Sequence, residues 1–515
     1  MTNRYRYMRA DYSYAGYMAN EEPIPDVRGL VADVTNYGAI GDGKTDCTAA
    51  FKKAIASIHE GVVYVPPGTY LLMDQLVISN SGVVLRGAGA GASTLFFNTS
   101  LTGIYGQSWS GHGTEASIQS DYKDGPGLIR FAGPRSYNLA GEGHVQIGVE
   151  DPVSDSTLLT TITRPALRGQ VKLMVADSSR LLQSQWVTIV LSDRDSAMVS
   201  DMYGNITVSR KCRTDCINAQ RTMRFHSRIY SVREGYIVLE RPLPFNVSTL
   251  WNPEVHAFQP GIQQSGIEKL TVLFRWSRYA EHLMEEGFNG IEFAGAANCW
   301  ARDLIISNSD NHIIIWKSSF ITVTNITYTR QPSRGGAYDC HHAVNVTWSQ
   351  DVAITNSLVH AICVHDLASF AWNNAVVFAN ITGPFRLNMD HHSLMPYATL
   401  WSNINVGRGD RAFKSGGEVT WGMQSAAYTT YYNIKASRGM VMTSFPSIYN
   451  GPLGNFLDIA WNPNKLLALG FSSEQGWLVK GVVSPTGPQA NPEDLLSAMI
   501  LTRDARFQRL GRQDL

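Results

Sequence analysis

In the second half of the chain the apolar positions recur in one short pattern: an apolar or aromatic residue, a variable residue, Asn or Asp, then usually another apolar residue. It occurs at Ala301–Leu304, Val323–Ile326, Ile354–Ser357, Phe378–Ile381, Trp401–Ile404 and Tyr431–Ile434. Successive markers lie 22 to 31 residues apart, which is a solenoid period. A coil of that length cannot bury its own apolar face, so it stacks on its neighbours and builds a continuous core. Residues at matching offsets from each Asn or Asp are therefore expected one above another.

Upstream, the patterns change. Residues 1–30 form an arm of aromatic and polar residues with no period, and residues 31–90 read as an N-terminal cap and first coils. There Val34–Asp46 is a glycine-punctuated loop, and Asp46 can cap a short helix in which Phe51, Ala54, Ile55 and Ile58 recur at helical spacing. Gly61–Val65, Thr69–Leu72, Leu76–Ile78 and Val83–Leu85 follow as short strands. Residues 91–260 interrupt the coils with a Gly- and Ser-rich loop and then an antiparallel β insertion, expected beside the groove as one of its walls. Residues 261–442 carry the main coils. Residues 443–515 are a tail ending in a helix that starts at Asn491-Pro-Glu-Asp494.

Asn36-Tyr-Gly-Ala-Ile-Gly-Asp-Gly-Lys-Thr-Asp46, Ala49-Ala-Phe51, Val63-Tyr-Val-Pro-Pro-Gly-Thr-Tyr70 and Leu85-Arg-Gly-Ala-Gly89 together resemble the opening segment of the pectate lyase superfamily. These are the rhamnogalacturonase/epimerase-like proteins. The resemblance implies an all-β fold, a right-handed parallel β-helix with a short capping helix, and a carbohydrate-active protein. It names no bond or sugar, because the fold hosts several chemistries.

About 11 to 17 residues before each marker runs a second pattern. It holds Asp310, Asn311 and His312; Asp339, His341 and His342; His365 and Asp366; and Asp390, His391 and His392. Adjacent strands lie about 4.8 Å apart, so the stripe is either a set of hydrogen-bonded ladders capping strand ends or a wall of acids and imidazoles along a polymer-binding groove. Part of it is similar to the polygalacturonase-type hydrolase arrangement, with departures: Asn311 replaces the second Asp of the pair, Asn289 falls where an earlier Asp would be, and no Arg-x-Lys follows.

Two cleavage chemistries remain open. Inverting hydrolysis requires an acid and a base carboxylate, drawn from Asp310, Asp339, Asp366 and Asp390. β-Elimination on a uronic-acid polymer requires a base and a partner for the uronate. For elimination, which the imidazole-rich stripe favours, His341, His342, His391 and His392 are the base candidates, with Asp339, Asp366 and Asp390 orienting them. Arg408, Arg411 and Lys414, on a glycine-flanked loop, would bind the uronate carboxylate, with His312, His365 and Tyr338 as further substrate contacts. No cofactor motif is legible, although imidazole and carboxylate on adjacent strands also suit a divalent transition ion. Trp316, Trp348, Trp372, Tyr397 and Trp401 are read mainly as packing residues, with sugar stacking as the alternative.

The 515 residues carry 43 Lys plus Arg and 43 Asp plus Glu, which gives no global attraction for nucleic acid. No apolar run is long enough to span a bilayer. Met1–Asn20 lacks the apolar core of a secretory signal, whereas sequons at Asn98, Asn205, Asn246, Asn325, Asn345 and Asn380 point to a glycosylated extracellular or cell-surface protein. Asn325 and Asn380 also sit at markers, where a structural role competes. Cys340 and Cys363 fall at matching offsets, as a bridge or as stacked thiols, and Cys212 and Cys216 are close enough to close a loop. The expected partner is a polysaccharide, with self-association through the lateral surface. The alternative class is a non-catalytic glycan-binding rod.

Overall fold

The computed structural model describes residues 10–112, 117–133, 156–193, 197–205, 221–335, 337–417, 423–437, 453–460, 478–483 and 494–510. The Cys212–Cys216 pair lies outside them. The body is a parallel β-helix with three lateral faces. A 15-stranded parallel sheet runs from Val31–Asp33 through Gly61–Val65, Val83–Gly87, Gly266–Phe274 and every marker segment to Leu478–Val483. A seven-stranded parallel sheet stacks Leu76–Ile78, Ile129–Ala132, Asn289–Ala294, Asn311–Trp316, Cys340–Thr347, Cys363–Phe370 and Met389–His391. The third face is a column of single bridges, Ala297, Ser319, Gln350, Asn374 and Tyr397.

The marker residue has a backbone reason. Lys269, Asp303, Asn325, Asn356, Asn380, Asn403 and Asn433 all bend the long sheet with φ between 50° and 57°. Asn and Asp tolerate this left-handed conformation better than other L-residues. The side chains then form a ladder: Asn325 Nδ2 donates to Asp303 Oδ1 (2.6 Å), Asn403 Nδ2 to Asn380 Oδ1 (2.8 Å) and Asn433 Nδ2 to Asn403 Oδ1 (3.1 Å). Two positions before each bend the side chain points inward. Phe378, Trp401, Tyr431 and Phe456 are in register and their rings stack face to face, with Phe378 and Trp401 centroids 4.2 Å apart. Trp401 is thus a packing residue, and so is Tyr397, buried in the bridge column with its Oη donating to Pro244 O at 2.8 Å. Asn403→Ala is expected to cost about 1–2 kcal/mol from the left-handed bend alone. Asn403→Gly keeps the bend, so its denaturation midpoint should fall less.

The helix Thr48–Ala56 closes the first coils, and Asp46 Oδ1 accepts from the Thr48 N–H at 2.9 Å. Val84 pairs directly with Gly266, so the chain resumes the helix where it left it. The intervening segment is not all excursion. Ser93–Phe97 and Ile129–Ala132 are coil strands, hidden in a Gly- and Ser-rich stretch whose composition reads as loop. Among the described residues the remainder includes a short hairpin, Trp109–His112 with Ser117–Ser120, and a six-stranded antiparallel sheet between Leu158 and Ala257.

This sheet docks at the bridge column rather than beside the imidazole stripe, contrary to expectation. His226 Nε2 lies 2.8 Å from Ser319 Oγ, and Arg241 makes two bonds of 2.9 and 2.8 Å to Asp351. The arm lies along the same seam: Tyr12 Oη donates to Tyr428 O, and Gly16 N to Asp351 O. The helix Leu495–Leu510, capped by Asp494, pins the arm through Arg503, which donates to Ser13 O, Ala19 O and Asn20 O.

Burial, reinforced by the charges of Arg224 and Arg241, holds His226 well below the usual imidazole range. The unfolded chain therefore binds a proton below about pH 6.5 that the folded chain does not, and stability falls as pH drops, by at most about 1.4 kcal/mol per pH unit for this group. His226→Gln should flatten the fall in denaturation midpoint between about pH 6.5 and 5 relative to the parent.

Candidate functional site

The stripe divides into an inside and an outside, and strict alternation does not set the division, because His342 and His365 lie two residues before the core residues Val344 and Leu367. His312 turns inward, buried beside Tyr328 and the Cys340–Cys363 disulfide. His391 also turns inward, against Trp401 and with Nδ1 3.1 Å from Tyr431 Oη. Both were expected at the groove, and both belong to the core. His342, His365 and His392 face outward. His341 joins them because its N–H and that of His342 both donate to Asp310 O, at 2.8 and 3.3 Å, which tightens the start of the strand. Ring centroids lie 4.0 Å apart for His341 and His342, 5.2 Å for His342 and His365, and 4.5 Å for His365 and His392. A fifth ring, His282, sits 4.9 Å from His341 and 5.4 Å from His365.

The two amides that break the hydrolase pattern orient this cluster. Asn289, Asn311, His342 and His365 form one in-register column. Asn289 Nδ2 donates to Tyr122 O (2.9 Å). Asn311 Nδ2 donates to Lys123 O and to Asn289 Oδ1, both at 2.8 Å. Asn311 Oδ1 is thereby left as an acceptor, and His342 Nδ1 lies 2.8 Å from it. The relay assigns the proton of His342 to Nδ1 and the lone pair to Nε2. His341 Nδ1 is held in the same way by Lys123 O (2.8 Å).

Asp390 is fully buried between His365 Nδ1 (2.7 Å) and His392 Nδ1 (2.9 Å), and the Gly416 N–H donates to its other oxygen at 2.6 Å. Burial alone would raise its carboxyl, but the two imidazoles outweigh that and hold it well below the usual range. His392 is half-buried, and contact with Asp390 outweighs its desolvation and raises it above the ordinary imidazole value. The other rings go the other way. Burial pushes His365 down to about 3 and lowers His341 and His342, and loss of water around its ring, packed against His341 and His365, brings the otherwise exposed His282 down to about 4, so these four stay neutral near pH 7. Glu285 is pushed up to about 8, chiefly by burial. It accepts from Tyr279 Oη at 2.6 Å and lies 3.5 Å from His341 Nδ1.

The remaining Asp candidates are occupied by the fold. Asp310 accepts from the N–H groups of Gly287 and Phe288 and pairs with buried Arg334 at 2.7 Å. Asp339 binds Arg330, Ser333 and the N–H groups of Arg334 and Ile362. Asp366 accepts from the N–H groups of Cys363 and Asn388. Their place beside the histidines reflects the capping of strand ends.

Arg411, expected to bind a substrate carboxylate, is buried under Tyr338 and donates to Cys363 O, Val364 O and Asn388 Oδ1. Arg408 is exposed at a turn whose backbone bonds Phe385 O. Lys414 is exposed, and its charge acts on His282. His282, Glu285, Asp124 and Asn311 were not singled out as working residues. Three of them sit in loops without coil period, and Asn311, a member of the stripe, reads from the sequence as a departure from the hydrolase pattern.

Residues 31–125 match the family described as rhamnogalacturonase A/epimerase, pectate lyase-like. A probable rhamnogalacturonase C of Aspergillus flavus is 27% identical over 174 residues, covering 30% of this chain and 38% of that protein. A polygalacturonase of Prunus persica is 43% identical over 67 residues, covering 12% of this chain and 17% of that one. The chain thus spans under two fifths of the length of either relative. Among solved structures, the tailspike protein gp49 of Pseudomonas phage LKA1 aligns over 82% of this chain and 66% of its own, at 11% identity and a TM-score of 0.44.

Proposed function

We propose that this chain, a pectate lyase-like parallel β-helix protein, cleaves a uronic-acid-containing polysaccharide outside the cell by β-elimination. The observation that carries the reading is the Asn289–Asn311–His342 relay, which presents an imidazole lone pair at a site where three of the four coil Asp candidates are spent on backbone and arginine. His342 Nε2 takes the proton beside the uronate carboxylate. The electron pair forms the new C=C bond, the glycosidic C–O bond breaks, and the leaving oxygen takes a proton from His392, whose acid form Asp390 stabilises. Lys414, exposed and with its charge acting on His282, is the group placed to meet the uronate. The buried Cys340–Cys363 disulfide supports an oxidising, extracytoplasmic setting.

The test is incubation with a panel of uronate-containing and neutral polysaccharides, following the ultraviolet absorbance of unsaturated uronyl ends together with reducing ends. Elimination raises both. Reducing ends without absorbance would mean hydrolysis and would sink the His342 assignment.

Gly416 supplies a second, local test. A Cβ there would lie 2.2 Å from His392 Cε1 and 2.5 Å from His365 Cε1. Gly416→Ala must therefore displace rings that Asp390 anchors. Misplacement of about 1 Å is worth roughly 10²-fold in rate, so turnover should drop by that order while far-ultraviolet circular dichroism stays unchanged.

A further inference from the structure

We infer that His282, His341 and His365 form a three-imidazole site for a divalent transition ion of the zinc class, open on its fourth side toward His342. One donor atom from each of the three lies within 4.8 Å of the other two. The Nδ1 of His341 is taken by Lys123 O and that of His365 by Asp390, so both rings present Nε2. His365 Nε2 is buried and has no hydrogen-bond partner, which leaves its lone pair available to a ligand. A backbone carbonyl and a carboxylate on the far nitrogens are the supports that metal-bound imidazoles use, fixing the tautomer and raising ligand basicity.

Three imidazoles and a vacant position are the ligand set of a catalytic zinc site rather than a closed structural one. A calcium ion would want oxygen ligands instead. Zn–N bonds are about 2.0–2.1 Å long, so the three nitrogens must converge on one point. His282, exposed on the loop between Phe274 and Asn289, is the ligand free to close.

The ion's place in the reaction, beside the uronate carboxylate, rests on the elimination reading, but the site itself does not. Metal content of the purified protein should be measured, followed by titration of chelator-treated protein with Co²⁺ as the visible probe and with Zn²⁺ by calorimetry. One equivalent of each is expected. His282→Ala, at an exposed position that leaves folding intact, should abolish the Co²⁺ visible bands. Asp390→Asn should weaken Zn²⁺ about 10–100-fold.

Asp124 also has a donor atom within 4.8 Å of those of His341 and His342. Asp124→Asn should nevertheless leave uptake unchanged. No stoichiometric uptake, or uptake lost in Asp124→Asn and retained in His282→Ala, would overturn the assignment. Uptake without elimination on any substrate would leave the metal site standing and remove only its link to that chemistry.

Discussion

His342→Gln is expected to fold normally and to lose about 10²–10⁴-fold in turnover, the range for removing a positioned general base. Gln matches the reach of the ring and can still donate to Asn311 Oδ1, so the buried relay keeps its partners. What disappears is the lone pair at the position of Nε2. Asn311→Leu should act on the same step at one remove. It deprives His342 Nδ1 of its acceptor and leaves the carbonyl of Lys123 and the amide of Asn289 short of a donor. Asn311→Asp keeps the acceptor and should retain more activity than Asn311→Leu if positioning is the role. Measured kcat, set against the thermal midpoint of each variant, separates the cases. Equal losses of activity and stability across the three would mean that the column is structural and that His342 is no base.

The second large effect is expected far from the imidazoles. Asp351→Asn should destabilise the protein by about 3–5 kcal/mol, because it leaves Arg241 charged and buried without its anion. The pair is bidentate, with side-chain exposures of 5% and 0%, and it joins three parts of the chain. Arg241 comes from the antiparallel insertion, Asp351 from a coil corner, and the ring of Tyr14 from the arm lies 4.3 Å from the guanidinium. Asn tolerates the left-handed backbone at this position, where φ is 53°, so the substitution isolates the charge. Adding Arg241→Met should recover much of the loss, since removing both charges also removes the desolvation cost. Urea denaturation of the parent, both single variants and the double variant gives the coupling energy. Near-additive losses would show that the seam is held by packing alone.

The amino-acid sequence by itself determined the parallel β-helix, because its coil repeats an inward aromatic and an Asn or Asp bend at each turn, and both requirements are local. It also determined that imidazoles crowd one flank. His341, His342, His365, His392 and Asp390 are brought together as their offsets implied. Only the tertiary structure decided which members of the stripe face out. His391 and His392 are adjacent in the chain and lie on opposite sides of the wall, whereas His341 and His342, whose N–H groups both donate to Asp310 O, face the same side. Sequence offsets likewise do not distinguish an Asp that works from one that caps. Asp310, Asp339 and Asp366 are consumed by N–H groups and arginines contributed by other turns and loops. His282, Asp124 and Glu285 arrive on loops with no period, placed by closure of the chain around the helix. Periodic local preference is legible residue by residue, whereas the pairing of a polar side chain depends on which distant segment the fold brings opposite it.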